Sequence, residues 1–471
     1  MILQRRRGLK DAETSESVTT ESSSSDRKIL RQYQQRNRIW KNNSLLFFFS
    51  VTFAAVVYWK VELRQGKSKL QWLHIPNVDI TVQNSHELPF IHIVNTRFMQ
   101  DQGPLETLGM ARLKLFQTFC LPSMILQSSQ HFFWIIKTDP QFTTTNVFKL
   151  LIESVKPYSN IYIVSSNLNF LFGSGGLEGT WGDGKETLDL MQSKIYTGNV
   201  TTLSVAIALH DQRLILETRL DCDDGLHKGF LQYIQAVAIQ RFQLRDRLFG
   251  QGEVSDNDTP RWLYWCSRRL IEWHSDTEPS LSIKQKKQIG SDELGYMNII
   301  QHDKLCVTPG VTVGYIASSG KHVPQYDHDK LYRNVSHSYA CYENTNNNRT
   351  TAGNTSMDNV GSKTGKSPCL KLVENFSFCA IRSRTWTSAG MDDVDLVKKN
   401  LLRGTDLNKF TSKLWSLSEE IFGVNKKTVR ETQNFLMKNK KMIAHENLLG
   451  QCTSGHSCKD AAKEKLKRLA K

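Results

Sequence analysis

"RLILETRLDCDDGLHKGF", residues 213–230, runs an apolar segment into a cluster of acids. The run up to Leu220 reads as a buried strand, because short apolar runs bounded by turn signals suit strands covered on both faces. Asp221, Asp223 and Asp224 then crowd its exit, and "GLHKGFLQYIQAVAIQRF" from Gly225 reads as a helix. Three carboxylates so close repel one another, so a cation must neutralise them or water must solvate them. They could also cap the helix from Gly225, where negative charge stabilises the positive end, and Asp224 is best placed to do so.

The segments upstream alternate in the same manner. "FIHIVNTRF" (90–98), "HFFWIIKTD" (131–139) and "NIYIVSSN" (160–167) read as strands, separated by helical stretches at 108–127 and 144–155, with a further helix at 202–210 before the strand at 213–221. A β-α-β-α order implies an α/β domain with a mostly parallel sheet flanked by helices. Ligands of such sheets bind beyond the carboxyl ends of the strands. Asn95, Thr96 and Arg97 close the first strand, Lys137, Thr138 and Asp139 the second, and the acids the fourth, so polar residues collect at one edge.

The formal charge of +15 suggests an acidic partner until it is located along the chain. Residues 1–43 carry 10 Lys/Arg against 5 Asp/Glu, residues 398–471 carry 17 against 7, and the remaining stretch is balanced at 34 each. A nucleic-acid-binding domain would carry the excess on its binding face, so no nucleic-acid partner is expected. Residues 1–43 are polar and Ser-rich and read as a disordered cytosolic tail. Leu45 to Trp59 hold no charge and are bracketed by Trp40, Lys41, Trp59 and Lys60, as an interfacial belt would be. As a helix this run spans about 22 Å, short for a bilayer core of about 30 Å. The pattern predicts a transmembrane signal anchor at 44–60, a stem at 61–89 and a lumenal domain at 90–458, in a thin early-secretory membrane with the N-terminus in the cytosol.

A lumenal domain is exposed to oxidising conditions, and all nine cysteines follow the anchor. Cys222 is the expected unpaired one, leaving eight for up to four bridges, with Cys452 and Cys458 of "CTSGHSC" read as a disulfide rather than a zinc site. Six sequons also follow it, at Asn199, Asn257, Asn334, Asn348, Asn354 and Asn375. Residues 343–367 read as an exposed Asn-rich insert, 398–450 as a helical extension containing two basic amphipathic helices, and 459–471 as a basic tail.

"IVNTRF", "GMARLKLFQTFCLPSMILQSSQHFFWIIKTDPQF" and "ETRLDCDDGLHKGFLQYIQ" resemble a family of rhamnosyltransferases, densely from about residue 91 to 240. "CVTPGVTVGYIASSGKHVPQYDHDKLY" and, more loosely, "CLKLVENFSFCAIRSRTWTSAGM" extend the resemblance. It implies a GT-A-like glycosyltransferase moving a sugar from a nucleotide-sugar donor to a glycan or glycoprotein acceptor on a Golgi membrane, as a single-pass type II protein. Rhamnose is the family's label, and a different sugar is the alternative, as is a catalytically silent, membrane-tethered carbohydrate-binding protein. Carboxylate oxygens suit hard cations, so Asp221 and Asp223 are the candidate ligands for Mn²⁺ or Mg²⁺ holding the diphosphate. Thr96, Arg97, Asp139, Arg219 and Asp224 are candidate donor contacts. A base for the acceptor hydroxyl is sought in "IGSDELGYMNII", where Asp292 and Glu293 would open a helix; Asp303 and Asp327 are alternatives.

Overall fold

The run "FIHIVNTRF" becomes β1, Phe90–Phe98, and is buried at every position but Arg97. It lies in the middle of a sheet, paired in parallel with β2 (Phe133–Thr138) on one side and β5 (Leu214–Arg219) on the other. In this computed structural model the described residues are 88–100, 102–165, 194–209, 213–242, 259–275, 294–302, 305–316, 323, 328–342, 368–387 and 407–453. All belong to one compact unit, Thr81–Lys471. The expected tail, anchor, most of the stem and the Asn-rich insert lie outside the described residues, as does the basic tail. Among the described residues no helix is long and apolar enough to cross a membrane.

The remaining strands are β3 (Ile161–Ser165), β4 (Lys194–Ile195), β6 (Asp224–Leu226), β7 (Trp262–Cys266), β8 (Arg269–His274), β9 (Tyr296–Gln301), β10 (Val311–Ile316), β11 (Leu370–Leu372) and β12 (Ala380–Arg384). The large sheet runs β11-β7-β10-β5-β1-β2-β3-β4 and the small one β6-β12-β8-β9. Strands β5, β1, β2 and β3 are parallel, as the alternating pattern implies, and β10 joins β5 antiparallel. The chain steps from β1 outward to β3 and then returns to the far side of β1 with β5. This reversal puts a topological switch point at the carboxyl ends of β1 and β5.

Helix α1 (Glu106–Leu115) continues through a π-helical turn, Phe116–Cys120, into α2 (Leu121–Ile125). Phe116 packs against Trp134 with the rings tilted at 5.6 Å and meets Phe98 edge-on at 6.0 Å, covering one face of the large sheet. Helix α3 (Asn146–Val155) is capped by Thr145 Oγ1, which accepts from the Phe148 N–H at 3.2 Å. On the opposite face Leu203 of α4 (Val200–Ala208) and Leu331 of α6 (His328–Val335) pack with Ile91, Ile93, Ile215 and Val313. Helix α5, Phe230–Arg241, lies between α4 and α6 in the chain.

Two readings change. The helix expected from Gly225 begins only at Phe230, because Asp224–Leu226 pair instead with Ala380–Arg382 of β12. The extension holds three helices, α7 (Leu407–Phe422), α8 (Lys426–Lys438) and α9 (Lys440–Thr453), where two were expected. Gly423 at φ +69° ends α7, and Asn425 Oδ1 caps α8 from the Lys427 N–H at 2.8 Å. Asn439 then divides α8 from α9.

A buried polar chain crosses the sheet. His92 Nε2 bonds Thr218 Oγ1 at 2.8 Å, its Nδ1 meets Gln235 Nε2 at 3.1 Å, and Thr218 bonds Thr312 at 2.7 Å. Burial lowers the His92 pKa from 6.5 to about 3. The unfolded chain therefore takes up a proton that the fold refuses, and stability falls as pH drops from 6.5 toward 3. The loss is expected to reach about 2 kcal/mol near pH 5. Urea unfolding across that window is expected to show the slope in wild type and a shallower one in His92→Asn, where His227, lowered by burial to about 4, still contributes.

Candidate functional site

The exit of β5 turns sharply: the Asp224 N–H donates to the Asp221 carbonyl at 3.1 Å, and the chain then enters β6. Gly225 makes that entry feasible. A Cβ there would lie 2.7 Å from the Phe119 carbonyl oxygen of the π-helical turn, 2.9 Å from Ile381 Cγ2 and 3.0 Å from Ser123 Oγ. Backbone cannot give way as a flexible side chain can, so Gly225→Ala is expected to cost about 1–3 kcal/mol, read as a lower urea midpoint.

The three acids have different surroundings. Asp221 keeps a side chain one-third exposed, and its Oδ1 faces Arg219 Nε at 3.7 Å. Asp223 is half-buried, and its Oδ2 accepts from Ser383 Oγ at 3.3 Å. Asp224 is buried and accepts from the Ser383 N–H at 3.1 Å, with Arg382 opposite it across the strands. Burial raises the pKa of Asp223, with the charge of Asp221 adding to it, while Arg112 and Arg382 pull it down. Burial and Asp223 likewise raise Asp224 well above the carboxylate range, against Arg382 and the Ser383 N–H. The cluster's repulsion is thus met partly inside the chain, by arginines from α1, β5 and β12.

Helix capping is not the acids' role here, since α5 starts beyond them with Gly229 at its N-cap and no side-chain cap. Asp224 is a strand residue whose carboxylate faces β12. Cys222 is buried and free as expected, and burial raises its thiol well above the usual range. Cys120 and Cys379 are free as well, so of the up to four bridges expected among the other eight, the described residues form two. The described bridges are Cys266–Cys306 and Cys341–Cys369; the Cys452 side chain and Cys458 lie outside the described residues.

The other candidates are dispersed. Thr96 is fully buried, and its Oγ1 accepts from Trp134 Nε1 at 2.8 Å, inside the core. Arg97 is exposed at the sheet edge, beside buried Lys137 in register. Asp139 Oδ1 accepts from the Gln141 N–H at 2.7 Å and so caps the following 3-10 turn, Gln141–Thr144. Asp292 and Glu293 lie outside the described residues, as do Asp303 and Asp327. The residues after them do not form the expected helix: Tyr296–Gln301 is β9, antiparallel to β8.

Sequence reasoning passed over several groups. Arg112 sits on α1, Arg382 and Ser383 on β12, and Glu272 on β8. Glu272 lies in one cross-strand row with Arg382 and Asn298, and Arg382 in turn faces Asp224. Its Oε1 accepts from Arg384 Nε at 3.0 Å, and its Oε2 lies 3.5 Å from His274 Nε2. Burial alone would raise Glu272, but His274 and Arg384 together bring it to about 2, too acidic for a general base near neutrality. Only the run "CAIRSRTW" signals β12, and nothing in it names a partner some 160 residues earlier.

A hard cation expected at this edge needs oxygen donors there. Among the described residues no group of three or more His, Cys, Asp or Glu side chains is arranged to hold a metal ion. Asp221 and Asp223 are two oxygen-bearing groups with an open side, and Mg²⁺-like ions use one or two carboxylates with phosphates and water completing the shell. The residues fit that smaller role.

No protein-family model matches the chain, and the comparison with curated proteins finds no match. Among solved structures the chain aligns with S. aureus TarS, residues 1–349 in complex with UDP, over 82% of this chain and 92% of that one, at 11% identity and a TM-score of 0.27. A second structure of S. aureus TarS 1–349 aligns over 81% and 92%, at 11% identity and 0.27. A further S. aureus TarS structure aligns over 81% and 55%, at 10% identity and 0.26. At such TM-scores the alignments carry no argument about fold or activity.

Proposed function

We propose that this chain is a glycosyltransferase that binds the diphosphate of a nucleotide-sugar donor at the exit of β5. One observation carries the reading: two carboxylates with an open side stand at the switch point of a mostly parallel sheet, where such sheets take their ligands. Asp221 and Asp223 would hold Mn²⁺ or Mg²⁺. A divalent cation there would neutralise the diphosphate and stabilise it as the leaving group. Arg219, beside Asp221, and Arg97, at the exposed end of β1, are placed to meet donor oxygens. Asp139 serves the 3-10 turn first and Asp224 the small sheet, so they support the site rather than touch the donor. Thr96, spent on Trp134 inside the core, does not meet the donor. Asp292 or Glu293, which precede β9 in the sequence, would take the acceptor proton.

Rhamnose as the sugar, a lumenal glycan or glycoprotein as acceptor, and a type II Golgi membrane location belong to the same proposal, supported by the sequence motifs and the apolar run at 45–59. The two disulfides suit an oxidising compartment. The test is donor hydrolysis by the purified protein across a panel of nucleotide sugars, with and without Mn²⁺. Metal-dependent release of a nucleoside diphosphate from one donor is expected, and no release from any would refute the activity. For topology, protease added to intact microsomes is expected to remove only the N-terminal segment.

A further inference from the structure

Arg112 on α1 is half-buried and ties three segments together. Its Nη1 donates to Gln102 Oε1 and to Met99 Sδ, the latter at 3.8 Å, and its Nη2 donates to the Thr387 carbonyl at 3.1 Å. Gln102 and Met99 belong to the turn leaving β1, where Met99 holds a φ of 55° that non-glycine residues seldom adopt. Thr387 follows β12, the strand that bonds Asp223 and Asp224. The charge of Arg112 also acts on Asp223 and on Cys222.

Both of its holding points are braced by one helix of the C-terminal extension. Gly450 of α9 lies so close to Gln102 that an added Cβ would sit 3.3 Å from Gln102 Cγ. Asn447 Nδ2 donates to the Trp386 carbonyl at 3.1 Å, next to Thr387, and Lys440 Nζ stands 4.3 Å from the centre of the Trp386 ring. Glu446 Oε2 accepts from the Leu108 N–H at 2.7 Å. That bond caps the first turn of α1, where Leu105 at the N-cap provides no side-chain acceptor.

We propose that α9 completes the donor site: it fixes Gln102 and the Trp386–Thr387 backbone, these hold the Arg112 fork, and Arg112, through the Thr387 carbonyl beyond β12, is the positioning residue for Ser383 and the Asp223 carboxylate that Ser383 bonds. The role of Asp223 in this inference rests on the donor-site reading above; the link from Arg112 to Asp223 through β12 does not. A planar guanidinium with several donors can satisfy separated acceptors at once, which an ammonium point charge cannot. Geometry is therefore expected to matter beyond charge.

Two cycles on the full chain test this. In the first, urea unfolding without ligand compares Arg112→Gln, Asp223→Asn and the double variant. A departure from additivity of roughly 5–20-fold in the unfolding constant is expected. In the second, Mn²⁺-dependent UDP affinity is measured for Glu446→Ala, Arg112→Gln and their combination. Glu446→Ala, which removes the acceptor for the Leu108 N–H, is expected to weaken UDP roughly 3–10-fold alone and to add nothing once Arg112 is gone. Arg112→Lys, which keeps the charge and is the milder change should the Gln variant fail to fold, is expected to recover only part of the UDP affinity. Additivity in the first cycle overturns the positioning role, and independent effects in the second overturn the link through α9. Full recovery by lysine overturns the fork geometry. Coupling in the first cycle together with a wild type that binds no UDP upholds the positioning role and refutes the donor-site reading instead.

Discussion

Asp223→Asn is expected to lower donor turnover by roughly 10²–10³-fold or more, while the ligand-free protein becomes slightly more stable. The first effect follows from removing one of two carboxylates with an open side at the switch point. The second follows from the raised pKa of Asp223, caused by burial and then by Asp221. A carboxyl raised in the fold costs nothing below the unfolded carboxylate range, and its cost appears as pH rises through the folded value. Near neutrality the asparagine escapes that cost. It also keeps an oxygen that can accept from Ser383 Oγ, which the wild-type carboxylate meets at 3.3 Å. Donor assays paired with thermal unfolding in chelator check both halves. A variant that turns over donor at the wild-type rate refutes the site.

Replacing Cys341 and Cys369 by serine is expected to cost about 3–4 kcal/mol, a fall of roughly 5 °C in Tm for a domain of this size. The two positions are 28 residues apart and flank the Asn-rich insert, so the bridge closes a long loop whose freedom would otherwise return to the unfolded chain. The bridge also anchors an edge. Tyr264 N–H donates to the Cys369 carbonyl at 2.9 Å and Arg261 N–H to the Cys341 carbonyl at 2.6 Å, holding this segment to β7 and its approach. Cys266–Cys306, with a separation of 40, is expected to contribute a similar amount. Thermal scans with and without reductant give the measurement, and identical Tm values would show that the bridges contribute nothing to the fold.

What the sequence conveyed and what it withheld have a common physical basis. Strands β1, β2, β3 and β5 were legible because each is a continuous apolar run, buried on both faces, and needs no distant partner to be recognised. The small sheet was not. Strand β6 has three residues and exists only because β12 arrives beside it from more than 150 positions downstream. Without that partner "GLHKGF" reads naturally as the start of the helix that follows. Two of the acids were legible as a site because three carboxylates at a strand end need an explanation. Their arginines were not, since Arg112 and Arg382 lie far away in sequence and carry no local signal. Thr96 shows the converse error: it ends near the right edge, but strand alternation turns it to the face occupied by Trp134.

The most direct test of the central claim is calorimetric titration of UDP into the wild-type protein in Mn²⁺ and again in excess chelator. The proposed donor site predicts binding in Mn²⁺ that is lost on chelation and absent from Asp223→Asn. Equal binding of UDP in chelator, or equal binding by the variant, would contradict the claim that Asp221 and Asp223 hold the donor through a metal.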